Sequence, residues 1–310
     1  MTKVCFHVLR QLSASLMIAA LVFSVVGVVG AKNAQAQSKK GKKATKQICI
    51  TFDELPVAVS FTDVDPVVVT DAILETLKKH EVKAAGFVVG SRIGTGYDLL
   101  GKWLNGGHRL GNLTYSHQDF HEMDAGTFLR DVVAGSDAIE TMLSGFGQKK
   151  RYFRYPFLHY GNTVDKKRQA QNFMKEYGIK VAHATVVVED YLYNMTVEKS
   201  GGQLDSADYD LLLSEYITHV LEELLRAESL SREILKKPCH QILQLRANQL
   251  NALVLDELLL ALEEEGYKFV SLDEALKDKL FDAPEAYFGL RGAGYLDMLK
   301  LSNPDLLPAQ

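Results

Sequence analysis

Two adjacent carboxylates, Asp53 and Glu54, directly follow the apolar run Ile-Thr-Phe near the start of the alternating part of the chain. At the end of a buried strand, such a pair can supply a general base and a metal ligand, because the two side chains can turn to different places. A helix cap or a turn acid is the alternative interpretation of this pair.

The segment GNLTYSHQDFH carries His117 and His121, four residues apart, with Asp119 between them. A spacing of four places two side chains on one helical face, which is a usable spacing for metal ligands. Leu113 stands four residues before His117 and cannot bind a metal. For a single histidine, a hydrogen-bonded structural role is the alternative.

Further polar residues follow other strand-like runs. Arg154 is followed closely by Pro156, and a buried arginine beside a carboxylate would hold it and lower its pKa. Glu189 and Asp190 end the run VVVED, and Asp190 is the expected partner of Arg154. Arg246 ends the run QILQLR.

Short apolar runs alternate with helical periods from residue 47 onward, which favours a parallel sheet or a (β/α) barrel. About 270 residues suit one barrel better than two domains. The expected strands are 47–52, 83–89, 109–112, 151–156, 180–188, 241–246 and 268–272. The expected helices are 67–79, 97–105, 127–143, 166–177 and 251–264, with one or two amphipathic helices over 209–235.

The N-terminus has the pattern of a secretory signal peptide over residues 1–36. Leu16–Gly30 is an unbroken apolar run, and residues 34–36 fit a small-x-small cleavage site. We therefore expect a secreted or periplasmic protein with no stable membrane span after cleavage, an uncleaved anchor being the alternative.

The overall composition is that of an ordinary globular protein, with 47% hydrophobic residues, 24% charged residues and a net charge of −4 over 310 residues. Nothing global favours nucleic acid as a partner. Residues 37–46 are lysine-rich and read as a solvated linker. Cys49 and Cys239 remain after signal cleavage, and two buried thiols are favoured over a disulfide.

In order along the chain, the pieces TFDELP, GNLTYSH, RYFRYPFLHYGN and QILQLRANQLNA resemble the polysaccharide deacetylases, the NodB-type domains of carbohydrate esterase family four. The resemblance runs from about Ile48 to Leu272. It implies a distorted (β/α) barrel over 47–280 as a single catalytic-type domain. Residues 281–310 would be a C-terminal extension that packs on the barrel or forms a tail.

The resemblance also implies roles for residues that match the family's motifs. Asp53 would be the general base, braced by Arg154, and Asp190 would pair with that arginine. Glu54 and His117 would be ligands of a divalent metal, usually zinc. Three further positions carry implied roles: Pro156 in the substrate groove, the Phe157 N–H at the oxyanion, and Arg246 where the family has a histidine general acid.

Three positions depart from the family pattern. Glu54 replaces an aspartate and reaches one methylene farther, and Leu113 replaces a histidine ligand. Catalytic zinc normally keeps three protein ligands, so Glu54 and His117 alone would hold it weakly, unless His121 substitutes. Arg246 stays protonated at neutral pH and cannot act as a general acid.

Three functional interpretations follow. The leading one is a secreted deacetylase-like hydrolase that removes N- or O-acetyl groups from a polysaccharide or oligosaccharide with weakened metal assistance. The second is a non-catalytic glycan-binding relative that uses the same groove. The third is a metal-free hydrolase built on Asp53, Arg154 and Arg246.

Overall fold

The computed structural model describes residues 46–149 and 151–302. Of the sequence predictions, the signal peptide and all of the linker except Lys46 lie outside these residues. The described residues belong to one compact unit. Among the described helices, none is long and apolar enough to cross a membrane.

Parallel strands and helices alternate along the chain. The strands are β1 Lys46–Leu55, β2 Ala85–Val88, β3 Arg109–Asn112, β4 Arg151–Phe153, β5 Ile179–Val181, β6 Val186–Val187, β7 Gln241–Arg246 and β8 Tyr267–Phe269. The helices are α1 Pro66–Lys79, α2 Ile93–Asn105, α3 Ala125–Gly145, α4 Val164–Glu176, α5 Asp190–Lys199, α6 Ser206–Leu235, α7 Gln249–Glu264, α8 Leu272–Ala275 and α9 Tyr295–Leu301. Short 3₁₀ turns cover Gly90–Arg92, Pro156–Leu158 and Lys279–Asp282.

The sheet has the hydrogen-bonded order β5-β4-β3-β2-β1-β7-β6, and β8 pairs with the first residues of β1. All of these pairs are parallel. β5 and β6 stand at the two ends of this order, so the sheet curls into an open, distorted barrel. The predicted (β/α) barrel is confirmed.

Side chains alternate between two apolar layers along β1. Ile48, Ile50 and Phe52 belong to a large cluster shared with the helices, whereas Cys49 belongs to a smaller cluster on the opposite, inner face. This alternation follows from the two-residue period of a strand. It places Thr51 and Asp53 on the inner face. Cys49 and Cys239 are free and buried, as the sequence favoured.

The helix starts follow local capping chemistry. The Asp65 side chain accepts a hydrogen bond from the Val67 N–H, and Pro66 occupies the first turn of α1, as the sequence indicated. The predicted amphipathic segment 209–235 forms one helix of 30 residues, α6.

The predicted strand 180–188 is divided into β5 and β6. Two carbonyls between them are used elsewhere: Ala182 O accepts from Arg154 Nε at 3.0 Å, and Ala184 O accepts from Tyr295 N at 2.7 Å. The carbonyls between β5 and β6 therefore accept hydrogen bonds from the Arg154 side chain and from the first residue of α9.

The segment after α8 packs on the barrel. The buried Lys167 Nζ lies 2.6 Å from a Glu285 carboxylate oxygen and donates to the Tyr287 carbonyl at 2.8 Å. A Cβ at Gly292 would lie 2.0 Å from the Phe157 carbonyl oxygen, so only glycine permits this approach. Residues 285–294 therefore border the loop that follows β4.

Candidate functional site

The C-terminal ends of β1, β4 and β7 and the start of α5 bring five of the predicted residues together at one end of the barrel. Asp53 pairs in register with Arg246 across β1 and β7. Glu54 has a φ of 65° at an irregularity in β1, and this local turn lets neighbouring carboxylates serve the same site. We call the following group the barrel-mouth site: Asp53, Glu54, Arg154, Asp190 and Arg246.

Asp53 is buried, and both of its carboxylate oxygens accept hydrogen bonds. Arg154 Nη1 donates to Oδ1 at 2.7 Å, and Gln244 Nε2 donates to Oδ2. The fully buried Arg154 also donates to Thr51 Oγ1 at 2.7 Å, and its guanidinium lies 4.2 Å from the centre of the Phe87 ring. Arg154 thus holds Asp53 in one orientation.

The expected pairing of Asp190 with Arg154 is wrong. Asp190 begins α5 shortly after β6, and β6 pairs with β7, so the guanidinium that Asp190 contacts is that of Arg246. Arg246 donates to Asp190 through Nη1 to Oδ1 and through its backbone N–H to Oδ2 at 2.7 Å. Asn251 Nδ2 also donates to Oδ2 at 2.7 Å.

Burial governs the electrostatics of this pair. Desolvation raises the pKa of Asp190 above its usual value, and Arg246 offsets only part of that rise. Burial also disfavours the charged form of Arg246, but Asp190 and Glu54 outweigh it and the arginine pKa is raised. Arg246 is therefore a permanent cation and not a proton donor.

Glu54 lies between two arginines. Its Oε1 accepts from Arg246 Nε at 3.2 Å, and its Oε2 accepts from Arg92 Nη1 at 3.3 Å. The exposed Tyr191 ring lies 5.0 Å from the Arg246 guanidinium carbon. Both carboxylate oxygens that a metal would use are already engaged with cations.

His117 and Leu113 are the residues that the resemblance matches to the family's two histidine ligands. Leu113 is 1% exposed and packs with the inner apolar cluster. His117 has a φ of 58°, and its ring centre lies 4.8 Å from that of Phe157. Burial lowers the pKa of His117, although Glu54 opposes that change.

These donors do not fit the divalent metal that the resemblance implies. Glu54 is held by Arg92 and Arg246, and Leu113 offers no ligand atom. Metal binding by Glu54 and His117 remains a prediction, and it would require two arginines to release the carboxylate beside a dication.

The loop after β4 forms one edge of the site. Pro156 is buried, and Phe157 has a φ of 57° with a side chain that is 49% exposed. The Phe157 ring lies near the His159 ring, and the two ring centres are 5.9 Å apart. The implied groove role of Pro156 and oxyanion role of the Phe157 N–H remain predictions.

Asp119, His121 and His159 form a second group, which we call the loop histidine cluster. One potential ligand atom from each of the three lies within 4.8 Å of those of the others. Burial, followed by the neighbouring His159 ring, lowers the pKa of His121 to about 4, so this ring is neutral at neutral pH. His121 thus lies with His159, and not between Glu54 and His117.

Three residues that support the site were not singled out from the sequence: Thr51, Arg92 and Gln244. Thr51 and Gln244 each stand two positions before a predicted site residue, Asp53 and Arg246, and so share its face of the strand. The two-residue period of a strand could therefore have identified Thr51 and Gln244 from the sequence. Arg92 follows β2 on a 3₁₀ turn, and no motif marked it.

Sequence comparison identifies a domain and distant relatives. Residues 40–182 match the family model described as polysaccharide deacetylase. An uncharacterised 30.6 kDa protein of Geobacillus stearothermophilus is 27% identical over 70% of this chain and 69% of its own. A peptidoglycan-N-acetylglucosamine deacetylase of Bacillus cereus is 29% identical over 40% of this chain, and the match spans only 44% of that enzyme.

Solved structures agree on the fold. A polysaccharide deacetylase from Bacillus cereus has 21% identity and a TM-score of 0.52, covering 73% of this chain and 91% of its own. A CE4 family pseudoenzyme from Bacillus anthracis has 18% identity and a TM-score of 0.52, covering 75% and 66%. At these identities the likeness concerns the fold alone. Residues 40–182 therefore match the polysaccharide deacetylase model, and the chain shares its fold with these two structures.

Proposed function

We propose that this protein is a glycan-binding relative of the polysaccharide deacetylases that does not perform metal-assisted deacetylation at its barrel mouth. The observation that carries the proposal is the engagement of Glu54 by Arg246 and Arg92 at 3.2 and 3.3 Å. A deacetylase and a pseudoenzyme share this fold, so the fold does not distinguish catalysis from binding. The distinction rests on whether the side chains at the site can bind a metal.

Charge balance supports this proposal. Three carboxylates meet three guanidiniums at the barrel mouth, namely Asp53, Glu54 and Asp190 with Arg154, Arg246 and Arg92. A metal would add a dication to a group that is already neutral as a whole, and it would have to displace hydrogen-bonded guanidiniums.

The proposed ligand is an N- or O-acetylated polysaccharide or oligosaccharide. Exposed aromatic rings border the barrel mouth: Tyr191 beside Arg246, and Phe157 beside His117. Aromatic rings pack against the apolar faces of sugar rings, and guanidiniums donate hydrogen bonds to carboxylate and acetyl oxygens. Since the Bacillus cereus relative is a peptidoglycan-N-acetylglucosamine deacetylase, peptidoglycan-type glycans are the first ligands to test.

The proposed location is outside the cytoplasm, either secreted or periplasmic. The apolar run Leu16–Gly30 followed by a small-x-small site supports export. A glycan of the cell wall would then be accessible to the mature chain.

A weakened hydrolase is the second candidate, and one observation favours it. The Asp53–Arg154 pair is intact, buried and oriented at 2.7 Å, which is the arrangement that a braced general base needs. Deacetylation would still require an electrophile and a proton donor in place of Leu113 and Arg246.

One experiment separates the two candidates. The purified protein is titrated with N-acetylated chitooligosaccharides and peptidoglycan fragments, and acetate release is measured with and without added zinc. The proposal expects saturable binding that weakens in Arg246→Ala, with no acetate above the Asp53→Asn control. Acetate release that disappears in Asp53→Asn would establish the hydrolase instead.

A further inference from the structure

The loop histidine cluster joins two loops of the barrel. Asp119 and His121 lie between β3 and α3, and His159 lies between β4 and α4. None of the three belongs to the barrel-mouth site, and none has a family role in the sequence motifs. All three are partly buried, so they are enclosed yet accessible from solvent.

Hydrogen bonds already fix the carboxylate of the cluster. Asp119 Oδ1 accepts from the His121 backbone N–H at 2.8 Å and from His159 Nδ1 at 2.7 Å. Both bonds use the same oxygen. The second oxygen of Asp119 and the other nitrogen of His159 therefore remain as ligand atoms that these two bonds do not use.

The backbone of His121 is held as well. Its carbonyl accepts from Lys166 Nζ at 2.7 Å and from Asn162 Nδ2 at 3.3 Å. These contacts come from the loop after β4 and from α4, so they anchor the histidine to the second loop. The backbone of the two loops is thus held in place before any ligand arrives, which lowers the entropic cost of binding.

We propose that Asp119, His121 and His159 bind one divalent transition-metal ion, with zinc as the best match. Two imidazoles and one carboxylate are a common donor set for zinc when a fourth position is open to solvent. Magnesium and calcium prefer oxygen ligands and fit this set poorly. The site differs from the family's metal position in every residue.

Binding would change the geometry of the two rings. The His121 and His159 rings are stacked, with centres 4.0 Å apart and planes inclined by 5°. Because nitrogen lone pairs lie in the ring plane, parallel stacked rings do not point at one ion. Coordination therefore requires one ring to rotate out of the stack, and their partial exposure leaves room for that rotation.

The Lys166 ammonium opposes the metal. It lies beside the His121 carbonyl, and its charge disfavours a second cation nearby. Lys166→Gln is accordingly expected to tighten zinc binding, whereas loss of either histidine weakens it. This opposite sign separates a specific site from general damage to the loop.

Zinc titration calorimetry of the purified, chelator-treated protein tests the proposal. The wild-type chain is expected to bind one equivalent at this site, and His121→Gln and His159→Gln are each expected to weaken that binding at least ~100-fold. His117→Gln tests the family position, and His80→Gln is a matched control, because His80 also contacts carboxylates, those of Asp256 and Glu263. Both of these variants are expected to bind zinc as the wild type does.

A second measurement distinguishes the loss of a metal ligand from misfolding of the variant. Circular dichroism without metal should be the same for all variants, and the visible spectrum of the cobalt-substituted protein should report nitrogen ligands only when both cluster histidines are present. The proposal is overturned if wild-type protein binds no zinc, or if binding survives in His121→Gln and His159→Gln. It is also overturned if His117→Gln is the variant that abolishes binding.

Discussion

The barrel-mouth site lies at strand ends and at the start of α5, the loop histidine cluster lies on two loops, and the carboxylates of the two regions have different partners. At the barrel mouth, guanidiniums bind both oxygens of Glu54 and Oδ1 of Asp190, whose Oδ2 accepts from the Arg246 backbone N–H. In the cluster, one carboxylate oxygen of Asp119 accepts from the His121 backbone N–H and the His159 ring, and the neutral His121 ring stacks on that of His159. A metal at the barrel mouth would have to displace arginines from Glu54, whereas the hydrogen bonds to Asp119 come from a backbone N–H and a histidine ring.

The largest expected effect comes from making the barrel mouth resemble the family pattern. In the triple variant Glu54→Asp, Leu113→His and Arg246→His, three metal ligands and a titratable acid replace the arginine-bound arrangement. We expect zinc binding at the barrel mouth and acetate release at least ~100-fold above the background rate measured with the wild type, since general acid catalysis alone supplies roughly 10²–10⁴. Acetate release from N-acetylated chitooligosaccharides measures it.

The same triple variant with Asp53→Asn is the control, and it should release no acetate because the base is gone. If the triple variant takes up zinc and still releases no acetate, the explanation of the three departures is incomplete. If it neither binds zinc nor unfolds, that explanation is wrong.

Arg154→Met is expected to have the largest effect on stability. It leaves the buried Asp53 without its cation, and breaking a buried pair typically costs 3–5 kcal/mol, so urea unfolding should lose roughly that amount. The double variant Asp53→Asn, Arg154→Met should recover part of the loss because no buried charge remains unpaired. Arg168→Met, at an exposed pair with Asp165, is the matched surface control and should unfold as the wild type does.

Arg246→Gln should destabilise the protein less, by about 2–3 kcal/mol near pH 7, because Asp190 keeps its bonds from a backbone N–H and from Asn251. The sign of its pH dependence follows from the carboxylate. Removing the guanidinium raises the pKa of Asp190 further, so the penalty is full above that pKa and shrinks as falling pH protonates the carboxyl. Urea unfolding at pH 7, 5.5 and 4.5 measures it, and a penalty that grows toward pH 4.5 would contradict the assignment.

The smallest effect is expected in the loop histidine cluster. Without metal, His159→Gln removes a partly exposed hydrogen bond to Asp119 and should cost only about 1 kcal/mol. With zinc in excess, the wild type should gain thermal stability through ligand linkage, and His159→Gln should not. If zinc raises the melting temperature of the wild type and of His159→Gln equally, the contrast between the cluster and the barrel mouth is wrong.

The sequence predicted the barrel well because strand alternation and helix caps are local. The pairing of Asp53 with Arg154 was implied by the family resemblance, and the structure has it. The partner of Asp190 could not be assigned correctly, since it depends on β6 lying beside β7, a pairing between distant segments of the chain. Arg92 was missed for the same reason, because its contact with Glu54 spans two strand ends.

The loop histidine cluster shows a different limit. The sequence marked His121 as a neighbour of His117 at helical spacing, but this loop is not helical: Thr114 and His117 have φ values of 65° and 58°. The chain therefore turns His121 toward His159, which lies 38 positions later in the numbering. Spacing predicts proximity only when the backbone conformation is known.

The most direct test of the central contrast is anomalous scattering at the zinc absorption edge from zinc-soaked crystals of the wild-type protein. We expect a peak bounded by Asp119, His121 and His159, with Glu54 still held by Arg92 and Arg246. A peak between Glu54 and His117, with the two arginines displaced, would contradict the account.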